Sequence, residues 1–358
     1  MGVKFMTNSV KCDIGSYIHY WRGVKKSGKT TLFYDLVKAQ YGDLNKGLLI
    51  AVGDEIGYQA LDGLVYAETP TWADLIEVID TLVEEKDDND FEVVGLDTVD
   101  EMVKLAQEEV KRLHKKAKGQ PAEFNACFGG YGAPRKKVEE LIDEQLARLR
   151  RAGYGVIYIG HTKLRDVKEK NGDEYQQLTS NLSADYDGIF ANKADIVMTI
   201  VVEKDIDENK HIDGTTRYMY FRSDGFVDAG GRFADMPEKI EYGADNYISA
   251  FEAGVKGAIG GKVSAKDIEK RKKTESDDRK KAGVAFAKAT KENKVDSEKN
   301  EELVEEIKGK FTDLEDDASA EIKELMKELG VKNFKAPDEI PTKALEQILD
   351  KINELTED

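Results

Sequence analysis

The octapeptide Gly23-Val24-Lys25-Lys26-Ser27-Gly28-Lys29-Thr30 has the spacing G-x-x-x-x-G-K-[ST], and Thr31-Leu32 open a helical pattern directly after it. That order of residue types suits the gripping of a polyphosphate. Phosphate oxygens need several converging backbone N–H groups; glycines let the main chain wrap closely, and a helix amino terminus adds partial positive charge. Lys29 can then reach the β- and γ-phosphates, and the Thr30 hydroxyl can ligate Mg²⁺. Lys25 and Lys26 within the loop either strengthen this attraction or face water.

Phosphoryl chemistry also needs carboxylates. The apolar run Phe91–Leu96 ends in Asp97, a candidate for holding the metal and, with Thr98, for capping the helix that follows. The run Leu48–Val52 ends in Gly53-Asp54-Glu55. Glu55 is the candidate for polarising an attacking water, with Asp54 as the alternative and an ordinary acidic turn as the plain reading. The run Val156–Gly160 ends in His161-Thr162-Lys163, so His161 is a polar group that could touch a γ-phosphate.

These residues can meet only if the runs that precede them lie side by side. Six runs read as strands: Ser16–Tyr20, Leu48–Val52, Phe91–Leu96, Val156–Gly160, Ile196–Val202 and Arg217–Arg222. Between the first five stand helical patterns at Thr30–Gln40, Trp72–Glu84, Thr98–Lys116 and Lys136–Ala152. Strand alternating with helix implies an α/β fold with a mostly parallel sheet flanked by helices. In such sheets ligands bind at the carboxyl ends of the strands, where all four motifs fall.

The 358 residues are 40% hydrophobic and 35% charged, with a formal charge of −17, a composition long enough for about two domains. Residues 255–295 carry 13 basic against 6 acidic side chains, whereas 296–358 carry 9 against 20. The expected division is a core over 1–255, a charged helical linker over 256–318 and a small acidic helical tail over 319–358. In the tail, Ile322, Leu325, Met326 and Leu329 share one helix face before Gly330, and Leu345, Ile348, Leu349, Ile352 and Leu355 share another. No apolar run reaches membrane-spanning length and the first residues lack a secretion signal, so a cytoplasmic location without membrane contact is expected. Cys12 and Cys127 are far apart and outside any metal-binding spacing, which suits buried, idle thiols.

With Gly23–Thr30, Glu55, Asp97 and His161 in this order, the sequence over about 14–255 resembles the RecA-like P-loop ATPases, most closely the phage members associated with annealing of single-stranded DNA. The resemblance implies ATP and Mg²⁺ as ligands, Glu55 as activator of water, Asp97 as the Mg²⁺ carboxylate and His161 as the γ-phosphate sensor. It further implies assembly into a homo-oligomeric ring or filament in the cytoplasm, that of the host if phage-encoded, with ATP bound between subunits. Arg232 is the candidate for a finger reaching a neighbouring subunit, or else a surface ion-pair residue. The stretch 115–137, with Lys115, Lys116, Lys118, Arg135, Lys136 and Lys137 among aromatic residues and glycines, suits single-stranded DNA, or is simply solvated. The polar stretch 163–191 suits an ATP-responsive loop. The implied activity is annealing or strand exchange; the alternative is a replication accessory ATPase, resembling a helicase loader, whose tail docks a single-strand DNA-binding or replication protein.

Overall fold

Strand β1 (Ile18–Gly23) is buried at every residue, as a central parallel strand covered on both faces must be. The computed structural model describes residues 7–170, 172–206, 211–261, 264–312, 314 and 316–357. After β1 come α1 (Lys29–Tyr41), β2 (Gly47–Val52), β3 (Tyr66–Thr69), α2 (Trp72–Glu84), β4 (Val93–Asp97), α3 (Val99–Lys118), α4 (Ala133–Arg151) and β5 (Gly155–Lys168). They are followed by β6 (Glu174–Ser180), α5 (Ala184–Ala191), β7 (Ile196–Ile206), β8 (Ile212–Tyr220), β9 (Gly230–Gly231), β10 (Lys239–Glu241), α6 (Ala244–Ala258) and α7 (Ala265–Glu292).

The strands form one sheet in the order β10-β8-β7-β1-β5-β4-β2-β3, with β6 beside β5 and β9 beside β7. From β7 to β3 the pairing is parallel, and β8 and β10 are added antiparallel. The α/β reading with a mostly parallel sheet therefore holds. Register places Gly23 opposite His161 and Ile200, and Asp97 opposite Ile159 and Ala51. The loop after β1, the end of β4 and the middle of β5 thus share the carboxyl edge of the sheet.

Side chains alternate along β1. His19 and Trp21 both hydrogen-bond the Tyr247 hydroxyl on α6, at 2.7 and 2.9 Å, so one face is an aromatic layer. Burial lowers the pKa of His19. Tyr20 and Arg22 occupy the other face, where Arg22 donates to Asp228 at 2.9 Å. Helix α2 begins where its sequence predicts, because Thr71 and Asp74 form a reciprocal capping box.

Three expectations need correction. The stretch 163–191 is not a long loop: β5 runs on to Lys168 and returns as β6, pairing Thr162 with Ser180 and Lys168 with Glu174, before α5. Leu164 and Val167 on one strand, and Tyr175 and Leu178 on the other, are three residues apart among polar side chains, so the stretch shows no period-2 apolar pattern and reads as polar; pairing between the two strands, not their sequence pattern, makes the hairpin. Residues 256–318 are not a solvated linker throughout, since α7 inserts polar groups into the first unit. Glu275 accepts hydrogen bonds from the Cys12 and Asp13 amides at 2.7 and 2.8 Å, and Arg279 pairs with Asp13 and, at 3.0 Å, with Glu92.

The third concerns the tail. The chain forms two compact units, Met1–Gly283 and Val284–Asp358. In the second, α8 (Ser297–Phe311), α9 (Asp316–Glu328) and α10 (Thr342–Glu357) share one apolar core. Ile322, Leu345, Ile348 and Ile352 lie in it as the tail pattern implied, but Val304 and Ile307 of α8 complete it. No described helix is long and apolar enough to cross a membrane. Both cysteines are free and buried.

Candidate active site

The carboxyl edge opens into a cavity of about 860 Å³ lined by the loop after β1 and by Glu55, Asp97, His161 and Arg217, among others. Its floor is the loop itself. Gly28 has φ 101°, and a Cβ there would stand 2.8 Å from both Arg217 Nη1 and the Tyr242 hydroxyl, so conformation and space both require glycine. A Cβ on Gly23 would stand 2.5 Å from Ser27 Oγ. That Ser27 hydroxyl is buried and has no hydrogen-bond partner among the described residues.

Lys29 is the first residue of α1, and its ammonium donates to the carbonyls of Gly23 and Val24, both at 3.1 Å. Burial lowers its pKa, against the opposing charges of Asp97, Asp100 and Glu55. Thr30 Oγ1 donates to Asp97 Oδ2 at 2.7 Å, across the gap between β1 and β4. Burial pushes Asp97 up to about 6, against the Thr30 hydrogen bond, and the nearby Glu55 charge adds to the rise. Val24, Lys25, Lys26 and Thr31 complete the loop's share of the wall, and Lys26 takes a positive φ of 63°.

Glu55 lies just past β2 and accepts a hydrogen bond from the Gly57 amide at 2.9 Å. The Cβ that Gly57 lacks would meet both Glu55 Oε1, at 3.0 Å, and Thr30 Oγ1, at 3.2 Å, which brings this carboxylate beside the loop. Asp54 lines the same wall but is exposed. His161 is clasped by a residue that the sequence did not single out. Its amide donates to Asp100 Oδ2 at 2.9 Å, its Nδ1 stands 3.5 Å from the same oxygen, and Asn181 Nδ2 donates to Oδ1 at 3.1 Å. Burial alone would raise the Asp100 pKa; the bonds from His161 and Asn181 outweigh it and hold it low.

Lys29, Thr30, Glu55, Asp97 and His161 are thus brought together. Arg232 is not. Its Nε stands 3.4 Å from Asp195 Oδ1, and Asp195 Oδ2 accepts from the Ile18 amide at the opposite end of β1, so Arg232 forms a surface ion pair outside its own chain's cavity. The basic residues of 115–137 are also outside it. Lys115, Lys116 and Lys118 close α3 and are exposed; Arg135 pairs with Asp185 at 3.2 Å, and Lys136 and Lys137 pair with Glu140. Between them Tyr131 is wholly exposed. Asp100, Asn181 and Arg217 escape a reading of the sequence. Asp100 carries a faint signal, three residues after Asp97 in the first turn of a helix. Arg217 carries none, because it sits on β8, far along the chain from Gly28 and Lys29 and in no local pattern with the loop.

The donor set fits a triphosphate and a hard cation. Gly28 with its positive φ and an ammonium bonded only to carbonyls line the cavity, an unpartnered hydroxyl is buried within the loop at Ser27, and Thr30 and Asp97 offer two oxygens, as Mg²⁺ shared with a phosphate requires. Among the described residues no group of three or more His, Cys, Asp or Glu side chains forms a metal cage. Fold and site together define a P-loop NTPase, with β5 inserted between the loop strand β1 and the acid-bearing strand β4. A protein-family model described as an AAA domain matches residues 18–233, and the chain belongs to that family; it is a P-loop ATPase. No curated protein matches the chain.

Proposed function

We propose that this ATPase is of the RecA-like type associated with single-stranded DNA, binding ATP between subunits of a ring or filament and promoting annealing or strand exchange. Lys29 exchanges its two carbonyl contacts for the β- and γ-phosphates, and Thr30 and Asp97 hold Mg²⁺. A cation held there would neutralise charge that builds on the phosphates during transfer. Glu55 orients and deprotonates the attacking water, and His161, fixed by Asp100, senses the γ-phosphate. Arg232 faces a neighbouring subunit in this arrangement.

The observation that carries the DNA reading is the connection between α3 and α4. It carries a wholly exposed Tyr131, with Lys115, Lys116 and Lys118 before it in the chain and Arg135, Lys136 and Lys137 after it, a ring able to stack on bases and cations able to meet phosphates. Its root is tied to the site: Arg135 pairs with Asp185 and Gln107 donates to Tyr186 at 3.1 Å, both partners lying just after Asn181, which clasps Asp100. The test is ATPase rate and binding with single-stranded DNA, duplex and RNA across salt. Single-stranded DNA is expected to bind and to weaken as salt rises, and Tyr131→Ala combined with Lys115, Lys116 and Lys118→Ala is expected to weaken it at least tenfold with ATP affinity unchanged. Absence of binding at low salt would remove this function and leave the ATPase.

A second reading, a replication accessory ATPase that uses ATP as an assembly switch, is favoured by the separate apolar core of residues 284–358, which suits a docking module. Removing 296–358 separates the two. Loss of recruitment of a replication or single-strand DNA-binding protein, with annealing retained, supports the adaptor.

A further inference from the structure

Arg217 on β8 stands at the rim of the nucleotide cavity on the side away from the acids. The sheet order puts β8 and β7 on one flank of β1, and β5, β4 and β2, which position His161, Asp97 and Glu55, on the other. Its guanidinium lies over the Tyr242 ring at 4.4 Å from the centroid, and its Nη1 is 3.5 Å from the Ser27 carbonyl, too long for a strong hydrogen bond. Tyr242 is itself fixed, donating to the Gly28 carbonyl at 2.8 Å while its amide donates to the Arg217 carbonyl at 2.9 Å. Among the described residues no carboxylate pairs with Arg217. The chain therefore holds a planar cation, on an aromatic platform anchored to the phosphate loop, with its donors unspent.

We propose that Arg217 is a nucleotide-binding residue that contacts the α-phosphate in its own subunit. Direction follows from the flanks. The metal site at Thr30 and Asp97 and the water site at Glu55 require the γ-phosphate to point toward β5, β4 and β2. The α-phosphate and nucleoside then extend toward β7 and β8, where Arg217 offers a fork matched to two phosphate oxygens. A Cβ at Gly28 would stand 2.8 Å from the guanidinium, so the arginine packs directly against the loop.

This inference rests on a nucleotide occupying the Gly23–Thr30 loop, and calorimetric binding of ADP and of a non-hydrolysable ATP analogue tests the two separately. No binding by the wild-type protein overturns the nucleotide reading itself. Given wild-type binding, Arg217→Ala is expected to weaken ADP and the analogue by the same factor, about tenfold for one charge-assisted contact. Arg217→Lys, which keeps the charge but loses the fork and the stacking, is expected to recover part of the loss, and it carries the test if the alanine variant does not fold. Unchanged affinity for both ligands, or a loss confined to the triphosphate, overturns the proposal, the latter because it would place Arg217 at the γ-phosphate.

Discussion

In the proposed mechanism Lys29 and Glu55 act on different halves of the same event, and their variants are expected to separate accordingly. Lys29→Ala is expected to abolish turnover together with tight nucleotide binding. Glu55→Gln keeps the shape of the wall, so it is expected to retain nucleotide and slow hydrolysis by about 10²- to 10⁴-fold, measured as bound nucleotide against phosphate release. Normal turnover in either removes the assignment. Lys86 shows that not every perturbed cation belongs to the site. It is buried under the Tyr154 ring, donates to the Phe91 carbonyl at 2.9 Å, and is pushed down to about 7 by burial. Because the unfolded chain holds that proton up to the ordinary lysine range, the charged form opposes folding fully below about pH 7, and this opposition fades as pH rises above it. Unfolding free energy is therefore expected to gain up to about 1.4 kcal/mol per pH unit from this group just above neutrality. Lys86→Met should flatten that rise in denaturant titrations between about pH 7 and pH 9.

Among the elements, α7 is the one whose composition misleads. Its Lys- and Arg-rich sequence reads as solvated, yet Arg279 reaches Asp13, Ser16 and Glu92, and Asp13 is almost wholly buried. Arg279→Ala leaves that carboxylate without its cation and is expected to destabilise the first unit by about 3–5 kcal/mol in denaturant unfolding. A change under about 1 kcal/mol would mean the network contributes little. The buried parallel strands and α2 were legible because continuous apolar runs and a helical apolar period are local signals. The loop Gly23–Thr30 was legible for the same reason. β3, β6, β9 and β10 were not: they are short or charged, and their pairing is set by neighbours distant in sequence. Arg217 and Asn181 escaped likewise, since only the sheet order brings β8 and the end of β6 to the cavity, whereas the clasp on His161 needed the first turn of α3 in place.

At the scale of the whole molecule, the charge of −17 divides unevenly, and the basic stretch 255–295 is less available than its count suggests. Lys272 pairs with Glu252 and Glu269, Lys280 with Asp90, and Arg279 with Asp13 and Glu92. A polyanion would have to compete with carboxylates already in place. If the proposed single-stranded DNA partner binds, the acidic excess of 296–358 is expected to oppose it through long-range repulsion, which salt screens. Removing those residues is expected to raise affinity for single-stranded DNA severalfold at low ionic strength and to leave it unchanged near about 0.3 M salt, read by fluorescence anisotropy. Equal affinity at both salts would show that the tail's charge does not oppose binding.

Strand β5 is held by the sheet over only part of its length. Its first half is clamped between β1 and β4, and beyond His161 it continues, paired only with β6, to Lys168. The extended chain from Thr162 to Lys168 spans roughly 20 Å. Under the proposed role of His161, such an arm would work as a lever pivoting at that residue, turning a small tilt there into a larger displacement at the hairpin's far end.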